Sequence, residues 1–286
     1  MKKNKQILYI EPIGGLANRM RVIASAFKLK KEFDCEIFCI WNENSELNAP
    51  FDKLFGHIEG LNIISKSKKM KKLISTFSAK SSWRTKSIFR LLVKIYNKRF
   101  GFDFSIHERD VRSERNIVYD ILKNNKDVAI YVCTCHPFAN WDTEDLNFNP
   151  VKEIIEKIEF IHKQFSQYSE VIGLHIRRTD NVTAIEHSPI ELFVCEIENK
   201  IRENNNVGFF LATDDKDIEY LLQKLYPNKI IVEQKNLRRD SLEGIQDAIV
   251  DMFSLSKTSM IYGSYWSSFS SMAGKISGVE CVLLRK

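Results

Sequence analysis

The chain has 286 residues, with 43 Lys and Arg against 37 Asp and Glu for a formal net charge of +6, and is 44% hydrophobic and 28% charged. That length predicts about two domains at roughly 100 to 200 residues each, and the composition excludes disordered, collagen-like and coiled-coil chains. No run of about 18 uninterrupted apolar residues is present, the lysine-rich start leads straight into a strand-like segment, and six scattered Cys do not form a disulfide scaffold, so the expectation is a cytoplasmic chain without a spanning helix or signal peptide.

In chain order, Gln6 to Ile10 reads as a buried strand, followed by a glycine-containing loop from Glu11 to Asn18. From Ala17 to about Phe33 the apolar residues Met20, Ile23, Ala24 and Phe27 recur at helical spacing, and Cys35 to Trp41 reads as a second strand. This β-loop-α-β unit opens a Rossmann-like half. Twelve basic residues and no acidic one lie between Gly60 and Phe102, so the rest of the chain is net acidic. Within that block, Lys86, Arg90, Lys94 and Lys98 at i, i+4 spacing predict a basic amphipathic helix over Lys86 to Arg99. Such a block makes a solvated surface or faces a membrane or polyanion. Ala129 to Cys133 predicts a strand, and Val151 to Phe165 a helix announced by Asn149-Pro150.

The last third alternates strand and helix: strands over Glu170 to Ile176, Gly208 to Ala212, Lys229 to Val232, Met260 to Gly263 and Cys281 to Leu284, with helices over Ile190 to Arg202, Asp217 to Leu225, Ser241 to Ser256 and Ser268 to Ile276. Alternation of this kind predicts parallel sheets covered on both faces, in two halves divided near Ser166 to Ser169 with a cleft between them.

In open parallel sheets, ligands bind beyond the carboxyl ends of the strands. Those ends deliver Gly14-Gly15-Leu-Ala-Asn18-Arg19, His175-Ile-Arg177-Arg178-Thr179-Asp180, Thr213-Asp214-Asp215 and Ser264-Tyr-Trp-Ser267-Ser268-Phe-Ser270. Guanidinium groups, hydroxyls and helix N-termini suit a phosphate-bearing nucleotide. Each piece also has a plainer reading: Thr213-Asp214-Asp215 as an N-cap cluster, Arg178 as a structural ion pair, and Gly14-Gly15 as a loop without the full dinucleotide fingerprint. Cys133-Thr-Cys135-His136 lacks a second ligand pair at zinc spacing, so no metal is expected there.

Taken in order, these segments resemble the GDP-fucose-dependent fucosyltransferase superfamily, most of all the α-1,6-fucosyltransferases and the nodulation fucosyltransferase. The matching stretches are His175 to Asp180 with Ser188-Pro-Ile-Glu191, Phe210 to Asp215 with Tyr226-Pro227, Asp251 to Ser256, Ser267 to Ser270, and the loop Gly14 to Arg19. The resemblance implies an α/β GT-B fold, with two Rossmann-like domains facing a cleft. Residues 1–168 would form the acceptor-side domain with a basic helical insertion over 60–102, and residues 169–286 the GDP-sugar domain. It further implies an inverting, metal-independent transfer of L-fucose from GDP-fucose to a glycan hydroxyl. Arg177 would hold the β-phosphate, His175 the nucleotide and Asp251 the guanine. Ser267 and Ser268 would lie against diphosphate or ribose, Asp214 and Asp215 would shape the pocket, and Gly14, Gly15, Asn18 and Arg19 would complete the nucleotide-sugar set.

The α-1,6 enzymes of that superfamily carry a Lys directly after Arg-Arg-Thr-Asp and a Glu five residues beyond that Asp. Here Asn181 follows the motif and Ile185 stands at that spacing, which leaves Glu186 as the candidate base through a shifted gap and Asp180 as the alternative. Other GDP-deoxysugar or GDP-hexose donors, and a non-catalytic nucleotide-sugar binder, are the competing readings. The acceptor side is read as a glycan of a surface polysaccharide, lipopolysaccharide or lipid-linked oligosaccharide, met at an anionic inner-membrane surface through the basic block. Nucleic acid is not expected, for no stacking module accompanies that block.

Overall fold

A computed structural model of the protein describes residues 5–64, 101–179, 182–233, 235 and 240–286. The chain divides into two compact units, Met1–Asn44 with His57–Asn147, and Ser45–Gly56 with Phe148–Lys286.

In the first unit, β1 (Gln6–Pro12) is central because Leu8 and Ile10 are completely buried within a strand apolar on both faces. The helix α1 (Leu16–Phe33) buries Met20, Ile23, Ala24 and Phe27, the stripe read from the sequence. It stops at Asp34, whose left-handed φ of 52° lets its N–H reach Lys30 O. The chain continues through β2 (Glu36–Ile40), β3 (Leu61–Ile64), β4 (Phe104–His107), α2 (Glu108–Ser113), α3 (Ile117–Asn124) and β5 (Val128–Thr134). All pairings are parallel, in the order β3-β2-β1-β5-β4. The chain runs to one side of β1 and later returns on the other, so the strand order reverses between β1 and β5.

The second unit holds α4 (Lys152–Phe165), β6 (Glu170–Ile176), α5 (Val182–His187), α6 (Ile190–Glu203), β7 (Val207–Thr213), α7 (Lys216–Leu225), β8 (Ile230–Ile231), α8 (Leu242–Leu255), β9 (Ile261–Ser264), α9 (Ser268–Ser277) and β10 (Cys281–Leu284). Its sheet is again parallel, ordered β10-β9-β6-β7-β8, with the reversal between β6 and β9. Every residue of β7 is buried. Ile172, Leu174 and Ile176 of β6 meet Phe209 and Leu211 of β7 and Phe193 and Ile197 of α6 in one apolar cluster.

The units divide differently from the boundary near 168 that the strand pattern suggests. The apolar stripe of α4, Ile154, Ile158, Ile161 and Phe165, is buried where that helix packs on α8. Ser45–Gly56 joins the same unit, with Phe55 bridging to Pro150 and its ring 5.0 Å from Phe148. Gln246 Nε2 also donates to Lys53 O at 2.9 Å. A helix follows the apolar surface that covers its stripe, which its place in the chain does not reveal. Most of the basic insertion, including the helix read over Lys86 to Arg99, lies outside the described residues. Among the described residues no helix is long and apolar enough to cross a membrane.

Candidate functional site

The motif His175 to Thr179 leaves the carboxyl end of β6 beside the strand-order reversal, where an open sheet leaves a crevice. Three side chains fix its turn. Ser264, fully buried at the end of β9, accepts from Arg177 N at 3.0 Å and donates to His175 O at 3.3 Å. Asp214, at the end of β7, accepts from Arg178 N and from Thr179 Oγ1, both at 2.7 Å, and pairs with Arg177 Nε at 3.2 Å. Arg178 turns away: its Nη1 donates to Arg177 O at 2.9 Å and its Nη2 to Ser188 O at 2.7 Å. The buried Ser188 also donates to Leu284 O and accepts from Tyr265 N, tying the motif to β10 and to the turn after β9. Arg178 is therefore structural, through carbonyl contacts rather than the ion pair expected, while Arg177 is the guanidinium oriented by Asp214 at the strand end.

Behind the turn lies a buried polar group. His175 stacks on Phe269 of α9, with ring centroids 4.9 Å apart. Burial first, with the Arg177 charge adding to it, pushes its imidazole down to about 3, so it is neutral near pH 7. Its Nδ1 has no hydrogen-bond partner among the described residues. Asp251 of α8 pairs through Oδ2 with Lys235 Nζ at 2.5 Å, and its Oδ1 is likewise buried without a partner. Burial raises the Asp251 carboxyl while the Lys235 ammonium opposes that rise. Ser254 Oγ and Ser270 Oγ in the same unit are also buried without a partner among the described residues. Buried polar atoms are normally satisfied, and of the four the Asp251 carboxylate oxygen costs most to leave unpaired, so it points to a ligand that supplies its partner.

Other members of the expected set serve as caps. Asp215 is the N-cap of α7, accepting from Asp217 N at 2.8 Å, and Ser267 is the N-cap of α9, accepting from Phe269 N. Ser268 opens α9, so that helix presents its N-terminus immediately after β9. Glu186 is exposed on α5, and Asp180 lies outside the described residues. Ser264, Phe269 and Lys235 were not among the site residues expected from sequence: the motif that contains Phe269 gave it no role, and a Lys between β8 and α8 carries no motif signal.

In the first unit, Gly14 adopts a φ of 83°, and a Cβ there would sit 2.8 Å from Asn18 Nδ2. Asn18 packs under this turn, and Gly15 is the N-cap of α1. Arg19 is not presented to a ligand. It is fully buried, with Nε donating to Gly14 O at 2.8 Å, Nη1 to Asn42 O at 2.6 Å and Nη2 to Asn44 Oδ1 at 3.0 Å, and its guanidinium lies 4.8 Å from the Trp41 ring centre. Its role is to hold the loop, and an Arg beside two glycines does not reveal that from sequence.

Glu108, Cys135 and His136 bring three metal-capable atoms within 4.8 Å of one another. Arg112 Nε donates to His136 Nε2 at 2.8 Å, and its Nη2 pairs with Glu108 Oε1 at 2.5 Å. Guanidinium nitrogen already engages the imidazole and carboxylate lone pairs that a cation would need.

Two parallel sheets of this order define a two-domain, Rossmann-like α/β protein consistent with the GT-B fold. Among solved structures it is similar to the NodZ α-1,6-fucosyltransferase soaked with GDP-fucose, with a TM-score of 0.63 and 18% identity over 95% of this chain and 92% of that one. It is similar to a mutant of Arabidopsis thaliana FUT1 in complex with GDP, with a TM-score of 0.65 and 14% identity over 97% of this chain and 69% of that one. POFUT1 in complex with GDP gives a TM-score of 0.56 and 10% identity over 99% of both chains. No family model matches the sequence, and no curated protein does.

Proposed function

We propose that the protein is a glycosyltransferase that moves L-fucose from GDP-fucose to a hydroxyl of a glycan acceptor, with inversion and without a metal. The observation that carries this reading is the His175 to Thr179 turn, which orients Arg177 at the strand-order reversal beside the capped N-terminus of α9. Cleaving a glycosyl phosphate builds negative charge on the departing diphosphate. A fixed guanidinium and helix N–H groups meet that charge without reorganising. The orphaned Asp251 Oδ1 is an acceptor of the kind that the N–H edge of a guanine base requires. The fold that this chain shares with GDP- and GDP-fucose-bound fucosyltransferases supports the same donor.

The incoming hydroxyl must give up a proton on the face opposite the leaving group, which calls for a carboxylate. Glu186, exposed on α5 soon after the motif, fills that role in this reading, with Asp180 as the alternative. The first unit serves as the acceptor side, and the basic block meets an anionic or lipid-linked glycan at a membrane surface. Calorimetry with GDP and UDP tests the donor: binding of GDP with UDP at least tenfold weaker is expected, and a preference for UDP refutes it.

A further inference from the structure

The side chain of Lys235 is only 3% exposed, and its ammonium sits against Asp251. Burying an ammonium is costly even when paired, and such pairs add little stability over apolar packing. Nor is the pair needed to seat α8, which already buries Ile245, Ile249, Val250, Met252 and Leu255. The pair uses one carboxylate oxygen and leaves the other, Oδ1, buried and without a partner, as is His175 Nδ1. The charge of Lys235 also reaches His175.

The surroundings otherwise oppose an ionised Asp251. Asp247, one turn earlier on α8, and Glu219 of α7 both act on it with like charge, although Asp247 is held by Lys157 of α4 at 2.8 Å and Glu219 by Lys216 at 2.8 Å. From β6, His175 is neutral and the Arg177 guanidinium is engaged with Asp214. Lys235 is thus the cation in direct contact with Asp251 among the described residues. A protonated carboxyl would offer one acceptor oxygen and an O–H, a mismatch for a base edge that presents N–H donors.

Resting on the GDP-sugar reading, we infer that Lys235 is a positioning residue: it keeps Asp251 ionised and anchors it by Oδ2, so that Oδ1 stands ready as acceptor for the N–H edge of guanine. Specificity for the base then depends on a side chain that need not touch the base itself.

The test is calorimetric GDP affinity of the full chain from pH 6 to 8 for wild type, Lys235→Met and Lys235→Arg. Taking the variant-to-wild-type ratio at each pH cancels the titration of the nucleotide phosphate. For Lys235→Met the ratio of Kd values should grow as pH falls, approaching about tenfold per pH unit once the isolated carboxyl takes up its proton, and Lys235→Arg should restore a flat ratio. If Lys235→Met does not fold, Lys235→Gln, which keeps a neutral donor for Oδ2, carries the same measurement. A flat ratio overturns the proposal, as does a uniform loss at every pH, the mark of a merely structural role. Unfolding of both variants assigns the pair to stability and overturns it as well. Wild-type protein that takes no GDP overturns the GDP reading and this proposal with it, whereas GDP-binding wild type with a flat ratio removes Lys235 alone.

Discussion

Replacing Arg177 by Ala separates the chemistry of the motif from its architecture. The guanidinium side chain is 15% exposed and contacts Asp214 through Nε at 3.2 Å, but the backbone of the turn is held independently by Ser264 Oγ on Arg177 N. After the substitution, Asp214 retains Arg178 N and Thr179 Oγ1 as donors at 2.7 Å. The carboxylate stays satisfied, so the expected loss of stability is about 1 kcal/mol. In the proposed reaction, the substitution removes a donor to the charge developing on the diphosphate. Such donors contribute about 2 to 4 kcal/mol, a fall in kcat of roughly 30- to 1,000-fold. Arg177→Lys should fall in between, because a point charge replaces the two-pronged fork. The assay is GDP release from GDP-fucose by purified protein, alongside thermal melting. A kcat within threefold of wild type at unchanged melting temperature would remove the phosphate clamp from the account.

Arg19→Met leaves Gly14 O, Asn42 O and Asn44 Oδ1 without their buried donor, and a loss of about 3 to 5 kcal/mol in urea unfolding is expected; less than 1 kcal/mol would mean that the loop does not depend on it. The His175 imidazole is depressed in the folded state from an unfolded value near 6.5 to about 3, so the stability it confers is complete above pH 6.5 and is lost as pH falls toward 3. The slope should reach about 1.4 kcal/mol per pH unit and should shrink in His175→Gln; an unchanged acid slope in that variant would contradict the buried neutral imidazole. The basic block predicts co-sedimentation with anionic vesicles at low salt and release at high salt, and protein that stays in the supernatant at low salt would count against a membrane-facing acceptor side.

Much of the second unit was legible in the sequence because its strands are continuous apolar runs and its helices carry clear 3.6-residue stripes. Glu170–Ile176 and Ser268–Ser277 lie within a residue of their predicted bounds. The edge strands β3 and β4 were not read: four residues with mixed exposure carry too short a pattern to separate strand from loop. The motif placed His175, Arg177 and Asp214 at neighbouring strand ends, since residues at the carboxyl ends of adjacent parallel strands must converge. What sequence did not convey is how each side chain is used. Arg178 lies in the same motif as Arg177, and Asp214 in the stretch at the neighbouring strand end, yet Asp214 orients Arg177 while Arg178 braces the turn on Ser188. Asp215 is a cap, as its place before a helix allowed. Arg19 looks like a ligand residue on a glycine loop and is instead fully buried beneath it. Lys235 is conspicuous only because a distant Asp251 receives it.

The most direct test of the central claim is a donor screen that follows nucleotide release by purified protein with GDP-fucose, GDP-mannose and UDP-sugars, in the presence and absence of glycan acceptors. The account predicts release of GDP from GDP-fucose, accelerated by an acceptor and abolished in Arg177→Ala, with UDP-sugars left intact. Turnover of UDP-sugars alone would contradict it.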